Sequence, residues 1–219
     1  MKSISTILFM ILPAFISGFS PAFVKPATTA LKAADGVEVT FGELDGTDVR
    51  VGIIKTKWNK VHVDNVVNGA KDALKECNVT EANIFETEVP GAYELPFAAK
   101  MLALSGTVDV IICAGVLIKG GTMHFEYICD AVSSGIMNVG LQTNVPVIFG
   151  VLTCLTEEQV VERSTGNNNH GDGWGKTAVE MALLRKEALG IKTQSKGPIG
   201  FDASLTTAGD GSKEKVGFF

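Results

Sequence analysis

The sequence predicts one α/β domain, a mainly parallel four-stranded sheet covered by helices on both faces in three α/β/α layers. Three observations carry this. Short β-branched runs alternate with stretches whose apolar residues recur at helical spacing. The runs Val49 to Ile54 and Val108 to Ile118 are nearly continuous in apolar character, as strands buried on both faces must be. Strict strand–helix alternation lets each strand return parallel to the one before it.

The first strand is Val49 to Ile54, a β-branched run closed by the polar turn Lys55-Thr56-Lys57-Trp58-Asn59. Val63, Val66, Val67, Ala70, Ala73 and Leu74 then fall on one face of a helix. Asn83 to Val89 alternates as a strand, and Pro90-Gly91 breaks it. Tyr93 to Leu104 reads as helix. Val108 to Ile118, the most apolar run of the domain, is the expected central strand. Phe125, Ile128, Cys129, Val132, Ile136 and Val139 mark a second long amphipathic helix. Pro146 to Leu152 is a further strand, Thr156 opens a short helix with acids in its first turn, and Trp174 to Leu189 is the last helix. A leftover alternating stretch, Val37 to Gly42, reads either as a strand that pairs with a neighbouring subunit or as linker.

The working domain is expected over residues 45–190 of 219, with appendages on either side. Residues 1–22 resemble a signal peptide: Lys2 precedes the apolar run Ile7 to Leu12, and small residues follow. Residues 23–44 are basic and hydroxylated up to Lys32, in the manner of a transit peptide or linker. A phenylalanine just after a small-residue cleavage site, at Phe19 or Phe23, resembles bipartite plastid presequences. The expectation is a plastid enzyme, with plain secretion as the other reading. Residues 191–219 read as a polar flexible tail. The formal net charge of −5, with no basic stripe, gives no attraction to nucleic acid, and no membrane segment is expected in the mature chain. The four cysteines (77, 113, 129 and 154) are widely spaced and are expected as free thiols. Neither they nor the scattered histidines have metal-ligand spacing, so no metal is expected.

Ligands on such sheets bind beyond the carboxyl ends of the strands. That edge receives Trp58, Pro90 to Glu94, Lys119 to His124 and Thr153. Gly120, Gly121 and Thr122 offer backbone N–H groups and a hydroxyl without bulk, which suits a phosphate oxygen. His124 follows at once, flanked by Met123 and Phe125, which would dry its surroundings. A phosphate cradle beside a general acid/base suits a small phosphorylated substrate; a helix-capping His beside a structural turn is the other reading. Trp58 reads as a stacking platform for a flat heterocycle or as a lid on the core. Glu94 reads as an acceptor for hydroxyls or as a solvated first-turn acid. Arg163 reads as a phosphate ligand or a surface cation.

The stretches "VGIIKTKWN", "VPGAYELPFAAK", "GVLIKGGTMHFEY", "VPVIFGVLTCLTEEQVVER" and "NHGDGWGKTAVEM" resemble, in order, those of the lumazine synthases. The resemblance spans about residues 51–189 and implies a flavodoxin-like fold. It implies an enzyme that joins 5-amino-6-ribitylaminouracil to 3,4-dihydroxy-2-butanone 4-phosphate, giving 6,7-dimethyl-8-ribityllumazine in riboflavin synthesis, with no cofactor. It implies an aromatic stack at Trp58 and ribityl contacts at Ala92, Tyr93 and Glu94. Backbone contacts to the pyrimidine are implied at Val116, Leu117 and Ile118, phosphate binding at Gly121 and Thr122, and proton transfer at His124. Phe149 and Arg163 are implied to come from an adjacent subunit of a homo-oligomer, a pentamer or a shell of pentamers. Ser164-Thr165 replaces the usual Ala-Gly after Arg163, and His170 stands where many relatives carry Lys. A non-catalytic lumazine or flavin binder, or a shell-forming scaffold, is the alternative; His124, Thr122 and Arg163 together favour the enzyme.

Overall fold

The computed structural model describes residues 40–191. Four strands, β1 (Val51–Thr56), β2 (Ile84–Val89), β3 (Val110–Ile118) and β4 (Val147–Cys154), form one sheet in the order β2-β1-β3-β4, parallel throughout. The helices are α1 (Lys60–Glu76), α2 (Leu95–Leu104), α3 (His124–Thr143), α4 (Glu157–Ser164) and α5 (His170–Ala188). The fold is the three-layer sandwich that the strand–helix alternation predicts, and it is flavodoxin-like as the resemblance implies.

Alternation along the strands divides the core in two. Val51 and Ile53 of β1, with Val110, Ile112 and Ala114 of β3, face α1 and α5. Ile54, Ile111 and Cys113 face the other way, against Leu95 and Ala99 of α2 and Val132 and Ile136 of α3. Every residue of β3 from Val110 to Val116 is buried, as a central strand requires. Gly52 makes room for α2: a Cβ there would lie 2.5 Å from Leu102. The four cysteines are free, and three of them (77, 113 and 154) are buried. Burial pushes the Cys113 thiol up to about 12 and raises the other three as well.

The α1–α5 seam is the closest helix pairing. Gly171 and Gly175, one turn apart, lie on α1, and a Cβ at Gly171 would fall 1.9 Å from the Val66 carbonyl oxygen. A Cβ at Gly175 would lie 2.6 Å from the Ala70 carbonyl oxygen. The Asn169 side chain caps α5 by accepting from Gly171 N–H at 2.9 Å, and its Nδ2 donates to the carbonyls of Asn65 and Ser164. The last helix therefore starts at His170, not at Trp174 as the sequence suggests. The helix expected from Tyr93 starts at Leu95, after a 3₁₀ turn over Ala92–Glu94.

At the amino end of the sheet, Asp109 is almost fully buried between cations. It accepts from Arg50 N–H at 3.0 Å and from Nη2 at 2.8 Å, and Lys186 Nζ lies 3.3 Å away. Lys186 also donates to the Asp48 carbonyl, pinning the end of α5 to the chain entering β1. Burial opposes ionisation of Asp109, but the hydrogen bonds from Arg50 and the charge of Lys186 outweigh it and hold its pKa below the ordinary value. Of the leftover stretch 37–42, residues 40–42 form no strand, and the remainder lies outside the described residues, as do the presequence and the tail.

Candidate active site

The chain runs from β1 to β2 on one side and returns to β3 on the other, so strand order switches between β1 and β3. At such a point the loops leaving the carboxyl ends diverge and open a crevice. A cleft of about 740 Å³ lies there, walled by the turn after β1, the turn after β2, and the end of β3 with the start of α3.

The turn after β1 carries Trp58, which is 73% exposed and lines the cleft. A lid on the core would be buried, so that reading falls. The turn is held by three bonds: Lys57 N–H to the Val89 carbonyl at 3.0 Å, the Thr56 hydroxyl to the Trp58 carbonyl at 3.3 Å, and Asn59 Nδ2 to the Val116 carbonyl at 3.0 Å. The indole edge lies over Gly91, where a Cβ would come 3.5 Å from Trp58 Cδ1.

The turn after β2 is folded by Glu94, whose Oε2 accepts from Gly91 N–H at 2.9 Å. It brings Ala92, Tyr93 and Glu94 to the cleft, with Ala92 buried and the other two exposed. From the third wall come Val116, Leu117 and Ile118, then Gly120, Thr122, His124 and Phe125. Gly121 stands within that turn. Neither Gly120 nor Gly121 has a positive φ, and a Cβ at either would meet nothing within 4 Å. The chain's own packing thus makes no demand for these two glycines; they leave the front of the turn clear.

His124 opens α3, and its backbone N–H donates to the Thr122 hydroxyl at 3.4 Å. Lys119 and Glu126 close the turn with an ion pair at 2.6 Å, and the hydrogen bond from Lys119 leads in holding the Glu126 carboxyl below its ordinary range. The dry surroundings expected for His124 are not provided within one chain. Met123 is turned outward and the imidazole is exposed, because the first turn of α3 projects past the edge of the sheet.

Phe149 and Arg163 do not reach this cleft. Phe149 sits on the edge strand β4, and Arg163 lies on α4, bonded to the Gln159 carbonyl and the Glu162 carboxylate at 3.1 Å each. Beside Arg163, His170 meets Trp174 edge to face at 6.4 Å. Burial first, and then the Arg163 cation, lower the His170 pKa. Sequence reasoning missed Thr56, Asn59 and Ile128 in the cleft, whereas Gly91 and Phe125 fall where it put them. Asn59 had a signal, its place beside Trp58 in a polar turn; Ile128 looked like an ordinary core position of α3. Among the described residues, no cluster of three or more His, Cys, Asp or Glu could hold a metal, and no helix is long and apolar enough to cross a membrane.

A parallel α/β sandwich with an open crevice at its strand switch, lined by a histidine at a helix start and by an exposed aromatic, belongs to the class of enzymes acting on small molecules. The family profile described as 6,7-dimethyl-8-ribityllumazine synthase matches residues 48–186. A 6,7-dimethyl-8-ribityllumazine synthase of Pyricularia oryzae is 39% identical over 189 aligned positions, covering 68% of this chain and 94% of that protein. The chain belongs to the 6,7-dimethyl-8-ribityllumazine synthase family and is a transferase of riboflavin biosynthesis.

Proposed function

We propose that the chain condenses 5-amino-6-(D-ribitylamino)uracil with 3,4-dihydroxy-2-butanone 4-phosphate to form 6,7-dimethyl-8-ribityllumazine, phosphate and water. One observation carries the reading in the residues themselves. A bare Gly-Gly-Thr turn leading into His124 faces, across one cleft, an exposed indole and an acid on a separate turn. A phosphate, a flat ring and a polyol each find a suited partner there.

The pyrimidine stacks on Trp58, its edge meets backbone groups of Val116, Leu117 and Ile118, and Glu94 takes hydroxyls of the ribityl chain beside Ala92 and Tyr93. Gly121 and Thr122 hold the phosphate. The 5-amino group attacks the ketone, and loss of water gives an imine. Loss of the proton at C3 and departure of phosphate from C4 leave an enol that tautomerises to a new ketone, on which the ribityl-bearing nitrogen closes the ring with loss of a second water. His124 carries the protons between these steps. Much of the acceleration comes from holding two reactants together, since the amine is already a nucleophile.

The protein works as a homo-oligomer, pentameric or a multiple of it, with Phe149 and Arg163 completing the neighbour's cleft. Their distance from the cleft within one chain supports this, as does the exposure of His124. Residues 1–44 deliver the enzyme to a plastid through a secretory first step; a reporter fused to them that emerged in the medium would sink that reading.

The deciding experiment incubates the protein with both substrates and follows lumazine absorbance and phosphate release. Absence of both products overturns the proposed reaction. Co-refolding His124→Ala with Arg163→Ala chains should create complete sites at about a quarter of the interfaces of a cyclic ring, one half times one half. Activity equal to the mean of the two parents would show that Arg163 does not act across an interface.

A further inference from the structure

Asn59 stands at the N-cap of α1, where an asparagine side chain ordinarily accepts a backbone N–H from the first turn. It makes no such bond. Its backbone is left-handed, with φ 55 and ψ 38, and its Nδ2 instead spans 57 positions of sequence to the Val116 carbonyl. The helix start does without it, because the Asn59 carbonyl already accepts from His62 and Val63 N–H. The β1–β3 ladder ends at Lys55 and Ala114, so beyond it Asn59 supplies a donor that β1 no longer can. Trp58, one residue earlier, and Val116 both line the cleft, on the turn after β1 and at the end of β3.

We infer that Asn59 is a positioning residue for the flat substrate: its bond to Val116 fixes the width and tilt of the slot between the Trp58 ring and the end of β3. The inference rests on the reading of this cleft as the pyrimidine site. The choice of residue fits the role. Glycine meets a left-handed backbone at the least cost but brings no donor. Aspartate tolerates the conformation but, ionised, can only accept, and would face a carbonyl oxygen. Asparagine alone among the three gives both the turn and the bond. Trp58 has little else to hold it: its ring is mostly exposed, and among the described residues its backbone is tied only through the Thr56 hydroxyl.

The test compares Asn59→Gly and Asn59→Asp with the unsubstituted protein, each also in a Trp174→Phe background that leaves Trp58 as the sole tryptophan. Asn59→Gly should raise KM for the pyrimidine about three- to tenfold, the range that loss of one neutral hydrogen bond supports. Turnover number and KM for the butanone phosphate should stay within about twofold, because only one substrate loses its wall. Asn59→Asp should raise the pyrimidine KM at least as far. Fluorescence anisotropy of Trp58 should fall in both variants without any substrate. An unchanged pyrimidine KM, or both KM values rising together, overturns the assignment, and Asn59→Asp decides alone if the glycine variant does not fold. If the unsubstituted protein makes no lumazine, the reading of the cleft fails instead, and the anisotropy comparison decides the tether: unchanged values overturn it.

Discussion

His124 and Trp58 face one another across the cleft from turns that share no sequence, and each should fail in its own way. His124→Ala should lower turnover about 10²-fold, at the modest end for a positioned acid/base because the amine needs little help, with substrate affinities largely kept. Full turnover in that variant would remove the proton-transfer role. Trp58→Ala should weaken pyrimidine binding by about 1 kcal/mol or more, whereas Trp58→Phe should keep most of it; an unchanged dissociation constant for the alanine variant would dismiss the stacking platform. Both residues were legible in the sequence, because a strand that ends in a polar turn bearing one large or titratable side chain has few reasons to do so. Asn59 was not. Its partner is distant in sequence, and nothing local marks an asparagine that gives up its helix cap for a bond across the sheet edge.

At the scale of elements, the α1–α5 seam explains a stretch that the sequence leaves ambiguous. Gly171-Asp172-Gly173 reads as loop because glycine is a poor helix former and a common breaker. Gly171 instead marks a backbone approach too close for any side chain, and the Asn169 cap starts the helix four residues before the first large apolar side chain, Trp174. Gly171→Ala should therefore destabilise the fold by about 1–3 kcal/mol or more, since α5 must lift off α1 to admit the methyl group. Gly173→Ala, where a Cβ would meet nothing within 4 Å, is the matched control and should be neutral or mildly stabilising. Urea midpoints measure both, and equal midpoints would mean the seam is looser than its geometry. The central strands β1 and β3 were easier to read, since burial on both faces leaves an apolar run that no solvent-facing period can hide.

For the molecule as a whole, the chemistry gathers at the carboxyl ends of the strands and the bolting at the other end. Asp109, Arg50 and Lys186 join the start of β3, the chain entering β1 and the last turn of α5. Asp109→Ala should cost about 3–5 kcal/mol, because it strands a buried ammonium group. The folded pKa of Asp109 is depressed, so its stabilisation is present above the ordinary value of 3.8 and is lost as pH falls through the lower folded value. The stability gap between the unsubstituted protein and Asp109→Asn should thus be widest near neutral pH and close only in strong acid. A gap that stayed constant throughout would mean the ion pair adds nothing. Nothing local marks this cluster, because three charges separated by 59 and 77 positions look like ordinary surface residues until the sheet brings them together.

The buried thiols carry a consequence in time. A thiol reagent needs a thiolate within its reach, and folded Cys113 offers neither, with no exposed surface and a pKa pushed up to about 12. Its modification must wait for the sheet to part, so the labelling rate equals the fraction of open molecules multiplied by the intrinsic rate when reclosing is fast. Cys113 is then a clock for global opening, and half-buried Cys129 on α3 is a faster one for local fluctuation. Cys129 should label first and Cys113 last, and urea should speed the slow clock far more than the fast one. If the two ran at the same rate, α3 would never move without the sheet.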